Sequence, residues 1–216
     1  MNTQTLIKVI NILQHEVKSY KVPIITLMAQ TRRDPYRVLI GTVLSLRTKD
    51  DVTAKACERL FVKADSPELM VKLNNIEQLI YPVGFYKTKA KNIKLISEML
   101  IKQYNSKVPD EIDELLKLPN VGRKTANLVL IEGYDKPGVC VDIHNFRILN
   151  RLGYLRSKNP EETEFSIRKK LPQQYWKSLN YILVAFGQNI CVPVSPKCSI
   201  CPVSKYCEKV NVKTSR

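Results

Sequence analysis

The chain has 216 residues, 44% hydrophobic and 25% charged, enough for one large or two small packed domains and unlike a disordered segment. Lysine and arginine number 35 against 20 acids, a net charge of +15 and a pI near 9.6, which points to a polyanionic partner, above all nucleic acid. No apolar run nears the ~20 residues that cross a bilayer, no basic amphipathic segment stands apart as a membrane anchor, and Met1-Asn-Thr-Gln-Thr5 lacks the basic start of a signal peptide; the expectation is an intracellular protein, not bound to membranes, whose thiols stay reduced.

With only seven glycines and apolar spacings mostly of three and four, the chain reads as all-α. Helical stretches are expected at roughly 4–21, 35–47, 51–63, 88–104, 122–133, 142–151, 160–170 and 173–188. Asp34-Pro35, Ser66-Pro67-Glu68 and Asn159-Pro160-Glu161 each set a capping side chain before proline at the first helical position. In 88–104, Ile93, Ile96, Leu100 and Tyr104 share one face, while Lys91, Lys94 and Lys102 fall mostly elsewhere. Gly133-Tyr-Asp-Lys-Pro-Gly138 is the turn-rich break most suited to a domain boundary. After Ile190, prolines alternate with cysteines, so the tail is expected to be loop held by a metal rather than by a core.

Three stretches carry chemistry. In Leu115-Leu-Lys-Leu-Pro-Asn-Val-Gly-Arg-Lys-Thr-Ala-Asn-Leu-Val-Leu130, a tight turn through Asn120, Val121 and Gly122 joins two helices. Gly122 admits a close approach by another group, Asn120 tolerates the left-handed conformation, and the next helix offers its first N–H groups to an anion such as phosphate. Lys124 lies in the first turn of that helix, where the positive end of the macrodipole and neighbouring Arg123 both favour a neutral, nucleophilic amine. Asp142, in Val141-Asp-Ile-His-Asn-Phe-Arg147, follows an apolar run and is placed to cap the start of the next helix. His144 reads as a packed or hydrogen-bonded helix residue rather than a metal ligand. Finally, Cys191, Cys198, Cys201 and Cys207 form a C-x6-C-x2-C-x5-C run, and four such thiolates point to a metal centre rather than to two disulfides. Cys57 and Cys140, in apolar surroundings, read as buried small hydrophobes.

Together, Leu118-Pro-Asn-Val-Gly-Arg-Lys-Thr-Ala-Asn127, Val141-Asp-Ile-His-Asn-Phe-Arg147 and the four-cysteine tail closely resemble the endonuclease III family, bifunctional DNA glycosylases of the helix-hairpin-helix superfamily. Leu44-Ser-Leu-Arg-Thr-Lys-Asp50 and Val83-Gly-Phe-Tyr-Lys-Thr-Lys-Ala-Lys-Asn-Ile93 extend the similarity over nearly the whole chain. The resemblance implies a helix-hairpin-helix glycosylase fold: a six-helix barrel domain over 27–135 ending in the hairpin (about 113–131), and an iron–sulfur cluster domain of 1–26 plus 136–216, with DNA in the cleft between them. It implies a [4Fe–4S] cluster on the four cysteines, zinc being the chemical runner-up, with Lys197 and Lys205 of that loop meeting phosphates.

In the same way it implies Lys124 as nucleophile and Asp142 as catalytic carboxylate acting on a base flipped out of the stack, so that oxidised pyrimidines are excised from damaged duplex DNA and the strand is cut by β-elimination. The implied DNA contacts are Arg47, Phe85, Lys87, Lys89, Val121, Gly122, Arg123, Thr125 and His144, and the protein is expected to be a monomer. Arg47 stands where the family usually has a gap-filling glutamine; it either fills the gap left by the flipped base or touches a phosphate. Phe85, at the family's wedge position, either intercalates or belongs to the core. Asn120 replaces the first glycine of the usual Pro-Gly-Val-Gly. Two rival readings keep most of these features: a monofunctional adenine or mismatch-thymine glycosylase, which would normally lack Lys124, and a non-catalytic iron–sulfur DNA-binding module.

Overall fold

The computed structural model describes residues 1–216, and it is all-helical with no strand. In chain order the α-helices are α1 (Thr3–Glu16), α2 (Ile24–Thr31), α3 (Pro35–Ser45), α4 (Asp50–Lys63), α5 (Pro67–Lys72), α6 (Ile76–Ile80), α7 (Tyr86–Tyr104), α8 (Ile112–Leu115), α9 (Arg123–Leu128), α10 (Ile143–Arg151), α11 (Pro160–Lys170) and α12 (Trp176–Asn189). The proline-marked starts are real caps. Asp34 Oδ1 accepts from the backbone N of Tyr36 (3.0 Å) and Arg37 (3.2 Å), and Asn159 Oδ1 from Glu162 N (2.8 Å). Ser66 caps α5 through Leu69 N, a contact of 3.4 Å. Each such cap is worth ~1 kcal/mol.

The first stretch ends earlier than its apolar pattern implies: α1 stops at Glu16 and continues only as a 3-10 turn, Val17–Ser19. Short α2, α6 and α8 have no marked start in the sequence. The expected 122–133 helix is two pieces, α9 and a wider π turn over Val129–Gly133. Gly133 faces Pro35 so closely that a Cβ there would lie 3.1 Å from Pro35 Cα, so the wider turn ends where it meets α3.

Residues 24–138 and residues 1–23 with 139–216 form two compact units. These bounds lie three residues from the expected 26/27 and 135/136, for local reasons. Ile24 N donates to Asp50 Oδ2 (3.3 Å) and Lys136 Nζ pairs with Asp110 (2.7 Å), which ties both ends of the middle segment to residues of that same segment. In that unit α3 buries Tyr36 and every residue from Val38 to Leu44, as a central helix must. Ile93, Ile96 and Leu100 of α7 are fully buried, as their spacing requires.

The other unit packs Leu6, Val9, Ile10 and Leu13 of α1 with Ile148 and Leu149 of α10 and Ile182, Leu183 and Phe186 of α12. At roughly 2 kcal/mol per buried aliphatic side chain, α1 is held to residues at the far end of the chain. The tail after Ile190 corrects the picture of a loop without a core. Val203 is buried in this cluster, and Val210 N donates to Arg151 O (3.0 Å) and Arg216 N to Pro196 O (3.0 Å).

Candidate active site, DNA contacts and cluster loop

The hairpin is built from its apolar anchors. Leu115, Leu118, Val121 and Ala126 are buried, Leu118 N bonds Leu115 O (3.2 Å) and Val121 N bonds Leu118 O (3.1 Å). Asn120 takes the left-handed conformation (φ 58°), so the glycine missing from the usual motif is replaced by a residue that tolerates it. Gly122 is different: its φ of −93° is open to any residue, yet a Cβ there would have no protein atom within 4 Å. The space it leaves faces outward. Gly122 caps α9, whose first turn carries Arg123 and Lys124, both half-buried.

Asp142 is an N-cap and has capacity to spare. Its Oδ1 accepts from His144 N (2.8 Å), Asn145 N (3.0 Å) and Asn145 Nδ2 (3.0 Å), so all three bonds fall on one oxygen and Oδ2 stays out of the cap. Asn145 is fully buried and its own Oδ1 has no hydrogen-bond partner. Its role was missed in the sequence, where a polar residue in phase with Ile148 and Leu149 was the available signal. His144 packs inside its unit: Nδ1 lies 3.1 Å from Arg147 Nη2, and a Cβ on Gly187 would come within 2.6 Å of it.

The expected DNA contacts divide by exposure. Arg47, Phe85 and Lys87 are exposed, Phe85 at 64%, so Phe85 is not core. Arg47 and Phe85 are both left-handed (φ 53° and 58°), and the Arg47 guanidinium sits 5.6 Å from the centre of the Phe85 ring. Three of the expected contacts have buried side chains. Those of Val121 and Thr125 face inward, and the Val121 N–H is spent in the turn. Lys89 is only 4% exposed; its ammonium bonds the carbonyls of Leu44 (2.9 Å) and Leu46 and the Thr48 hydroxyl (3.2 Å), and burial pulls its pKa from 10.5 to about 8. A lysine held that way is no phosphate contact.

No disulfide joins any of the six cysteines. Cys57 and Cys140 are buried in apolar packing, and burial pushes the Cys57 thiol up to about 12. Cys191, Cys198, Cys201 and Cys207, all half-buried, line one pocket with Ile148, Phe186 and Val203. Arg151 Nη1 donates to Cys191 Sγ (3.5 Å) and Lys209 N to Cys207 Sγ (3.3 Å), while Arg147 Nε and Nη2 hold the Cys191 carbonyl (3.2 and 2.9 Å). Burial pushes the Cys201 thiol up to about 11, so its sulfur needs a bound cation to stay a thiolate. The donor set of the loop is four cysteine sulfurs, two of which receive N–H groups. That fits an iron–sulfur group, whose clusters are held by cysteine thiolates. Of the loop lysines, Lys197 is half-buried and Lys205 exposed, its ammonium 5.1 Å from the Tyr206 ring.

The all-helical fold, with its hairpin and its four-cysteine loop, is that of a helix-hairpin-helix protein with an iron–sulfur loop. In agreement, residues 40–173 match the HhH-GPD superfamily of base excision DNA repair proteins and residues 191–207 the iron–sulfur binding domain of endonuclease III. Endonuclease III of Thermotoga maritima is 46% identical over 177 residues, covering 81% of this chain and 83% of its own. Two longer chloroplastic homologues from Arabidopsis thaliana are matched over about half their length, 47% and 50%. A non-covalent endonuclease III–DNA complex and a trapped endonuclease III–DNA covalent intermediate each superpose with a TM-score of 0.87 at 32% identity. Each alignment covers 97% of this chain, and 96% and 97% respectively of the other. The chain belongs to the endonuclease III family. It is a DNA glycosylase and AP lyase of base excision repair, and its C-terminal loop is the binding site of a [4Fe–4S] cluster.

Proposed function

We propose that this protein acts as a monomer on damaged duplex DNA, excising oxidised pyrimidines through Lys124 and then cutting the strand. The observation that carries this reading is the hairpin: Lys124 stands in the first turn of α9, directly behind a glycine whose missing side chain leaves open space. A phosphate approaching Gly122 meets backbone N–H groups and the positive end of α9, which brings the sugar of the same strand to the lysine. Asp142, fixed through Oδ1, offers Oδ2 to the positive charge that grows on the sugar as the glycosidic bond stretches.

The neutral Lys124 amine forms a bond to C1′ while the C1′–N bond breaks, its electron pair leaving with the base, which takes up a proton. Asp142 helps remove the proton lost by the amine. The sugar ring opens as O4′ takes the C1′–O4′ pair and a proton, leaving an iminium between C1′ and Nζ. That cation acidifies C2′–H; loss of this proton and departure of the 3′ phosphate complete the β-elimination. A water-using relative has no such intermediate, which is why Lys124 separates the two chemistries.

Arg47 and Phe85, exposed and in contact, are assigned to the space vacated by the extruded base and to the adjoining base step. Lys87, Arg123, Lys197 and Lys205 supply charge to the backbone. Cys191, Cys198, Cys201 and Cys207 hold the cluster, which when bound cross-links the loop that presents Lys197 and Lys205. The test is borohydride trapping on a duplex with one thymine glycol. A covalent protein–DNA adduct that Lys124→Ala abolishes is the expected result; base excision without any adduct would refute the lysine chemistry, and no excision at all would refute the substrate.

A further inference from the structure

We infer that Lys89 is a positioning residue for base extrusion: its buried side chain clamps the 44–48 loop bearing Arg47 to the 83–85 turn bearing Phe85, so that both meet DNA as one preorganised probe. The inference rests on the reading of Arg47 and Phe85 as DNA-inserting residues. An ammonium has three protons to donate, and Lys89 Nζ finds three oxygens: Leu44 O, Leu46 O and Thr48 Oγ1. The two carbonyls close the C-terminal end of α3, where the helix dipole favours a cation. Thr48 Oγ1 also accepts from Gly84 N (3.2 Å), which carries the network across to the turn before Phe85.

The two segments touch backbone to backbone. A Cβ on Gly84 would lie 2.6 Å from the Arg47 carbonyl oxygen, so no other residue fits at that crossing. Lys89 sits one helical turn beyond Phe85, and its own N–H closes on Phe85 O (3.0 Å). Arg47 and Phe85, each in the left-handed region without being glycine, need surroundings that hold them there. Of the groups joining the two segments, the Lys89 ammonium reaches three residues of the 44–48 loop from α7, the helix that begins just after Phe85. A helix cap alone would explain the bonds to Leu44 and Leu46. It would not explain the bond to Thr48, which links the cap to the Phe85 turn.

Clamping two inserted side chains matters most when a stacked, paired base must be displaced, and least when there is no base to displace. The experiment uses cluster-loaded wild type, Lys89→Met, Arg47→Ala and Phe85→Ala on two duplexes, one with thymine glycol opposite 2-aminopurine and one with an abasic site there instead. Lys89→Met is expected to lower kcat/KM for excision at least tenfold more than for abasic-site cleavage, and to lose the 2-aminopurine fluorescence change that accompanies wild-type binding. Equal losses on both duplexes that track a lower Tm would reduce Lys89 to a fold residue and overturn the inference, as would wild-type behaviour. If Arg47→Ala and Phe85→Ala change neither excision nor fluorescence, the underlying reading of those two residues fails; if they do and Lys89→Met does not, only the clamp fails. Should Lys89→Met not fold, Lys89→Gln, which keeps two donors without the charge, carries the same comparison.

Discussion

Replacing Asn145 with valine separates stability from catalysis. Two effects of similar size oppose each other in the fold. The substitution removes the 3.0 Å bond from Asn145 Nδ2 to Asp142 Oδ1, and hydrogen bonds to charged groups contribute about 1.5–3 kcal/mol. It also removes the buried Asn145 Oδ1, which has no partner and costs about 1–3 kcal/mol of desolvation where it stands. Valine is larger by about one methylene, so no cavity is left and the site must absorb a small excess of volume. The net change in stability is within about 1 kcal/mol, a Tm shift of roughly 2–4 °C for a chain of this size. The N-cap survives through His144 N and Asn145 N.

Catalysis has no such compensation, because the carboxylate loses the one side-chain bond that sets its rotation. A tenfold drop in kcat corresponds to ~1.4 kcal/mol, and that is the expected scale, with KM little changed. Single-turnover excision of thymine glycol beside a thermal melt of the same preparation makes the measurement. Unchanged kcat would show that Asn145 does not orient Asp142. Loss of more than 2 kcal/mol of stability with a matching loss of activity would show that the unpartnered oxygen costs nothing and the residue is structural.

Gly122→Ala should leave Tm unchanged, since its backbone is extended and its Cβ position is open. It should weaken DNA binding about tenfold, read by titration at fixed salt; unchanged affinity would mean that no phosphate comes close there. Lys87→Ala should weaken binding to all duplexes alike and reduce the slope of log K against log salt by about one, whereas an unaltered slope would take Lys87 off the phosphate backbone. The Lys89 pKa sets a pH signature. Burial holds it near 8 in the folded protein against 10.5 for an ordinary lysine, so between those values the unfolded chain binds a proton that the folded one does not. Wild-type stability relative to Lys89→Met therefore rises from pH 8 to 10.5 and is flat below 8. The tyrosines that burial raises, Tyr20, Tyr36 and Tyr134, are common to both proteins and cancel in the difference. A falling difference would refute the burial of the ammonium.

What was legible in the sequence was local. Asp34, Ser66, Asn159 and Asp142 cap helices because a capping side chain needs only the backbone two or three residues on. The cysteine spacing and the glycine two residues before Lys124 are likewise short-range patterns, which is why the cluster loop and the hairpin were readable together with the family they mark. Apolar spacing with few glycines sufficed for the all-α class, and the net charge pointed to the nucleic-acid partner.

Tertiary structure decided the rest, wherever a side chain's environment comes from another part of the chain. Lys89 reads as a surface cation in a basic helix until the end of α3 arrives, more than forty residues earlier in sequence, and supplies its carbonyl partners. Phe85 could have been core or surface; packing leaves it exposed beneath Arg47. Val121 and Thr125 lie in the right motif but turn inward, because the anchors that shape the hairpin must be buried. Spacing along the chain determines which groups are available and which caps close; only the fold determines which of them face water, and hence which can reach DNA.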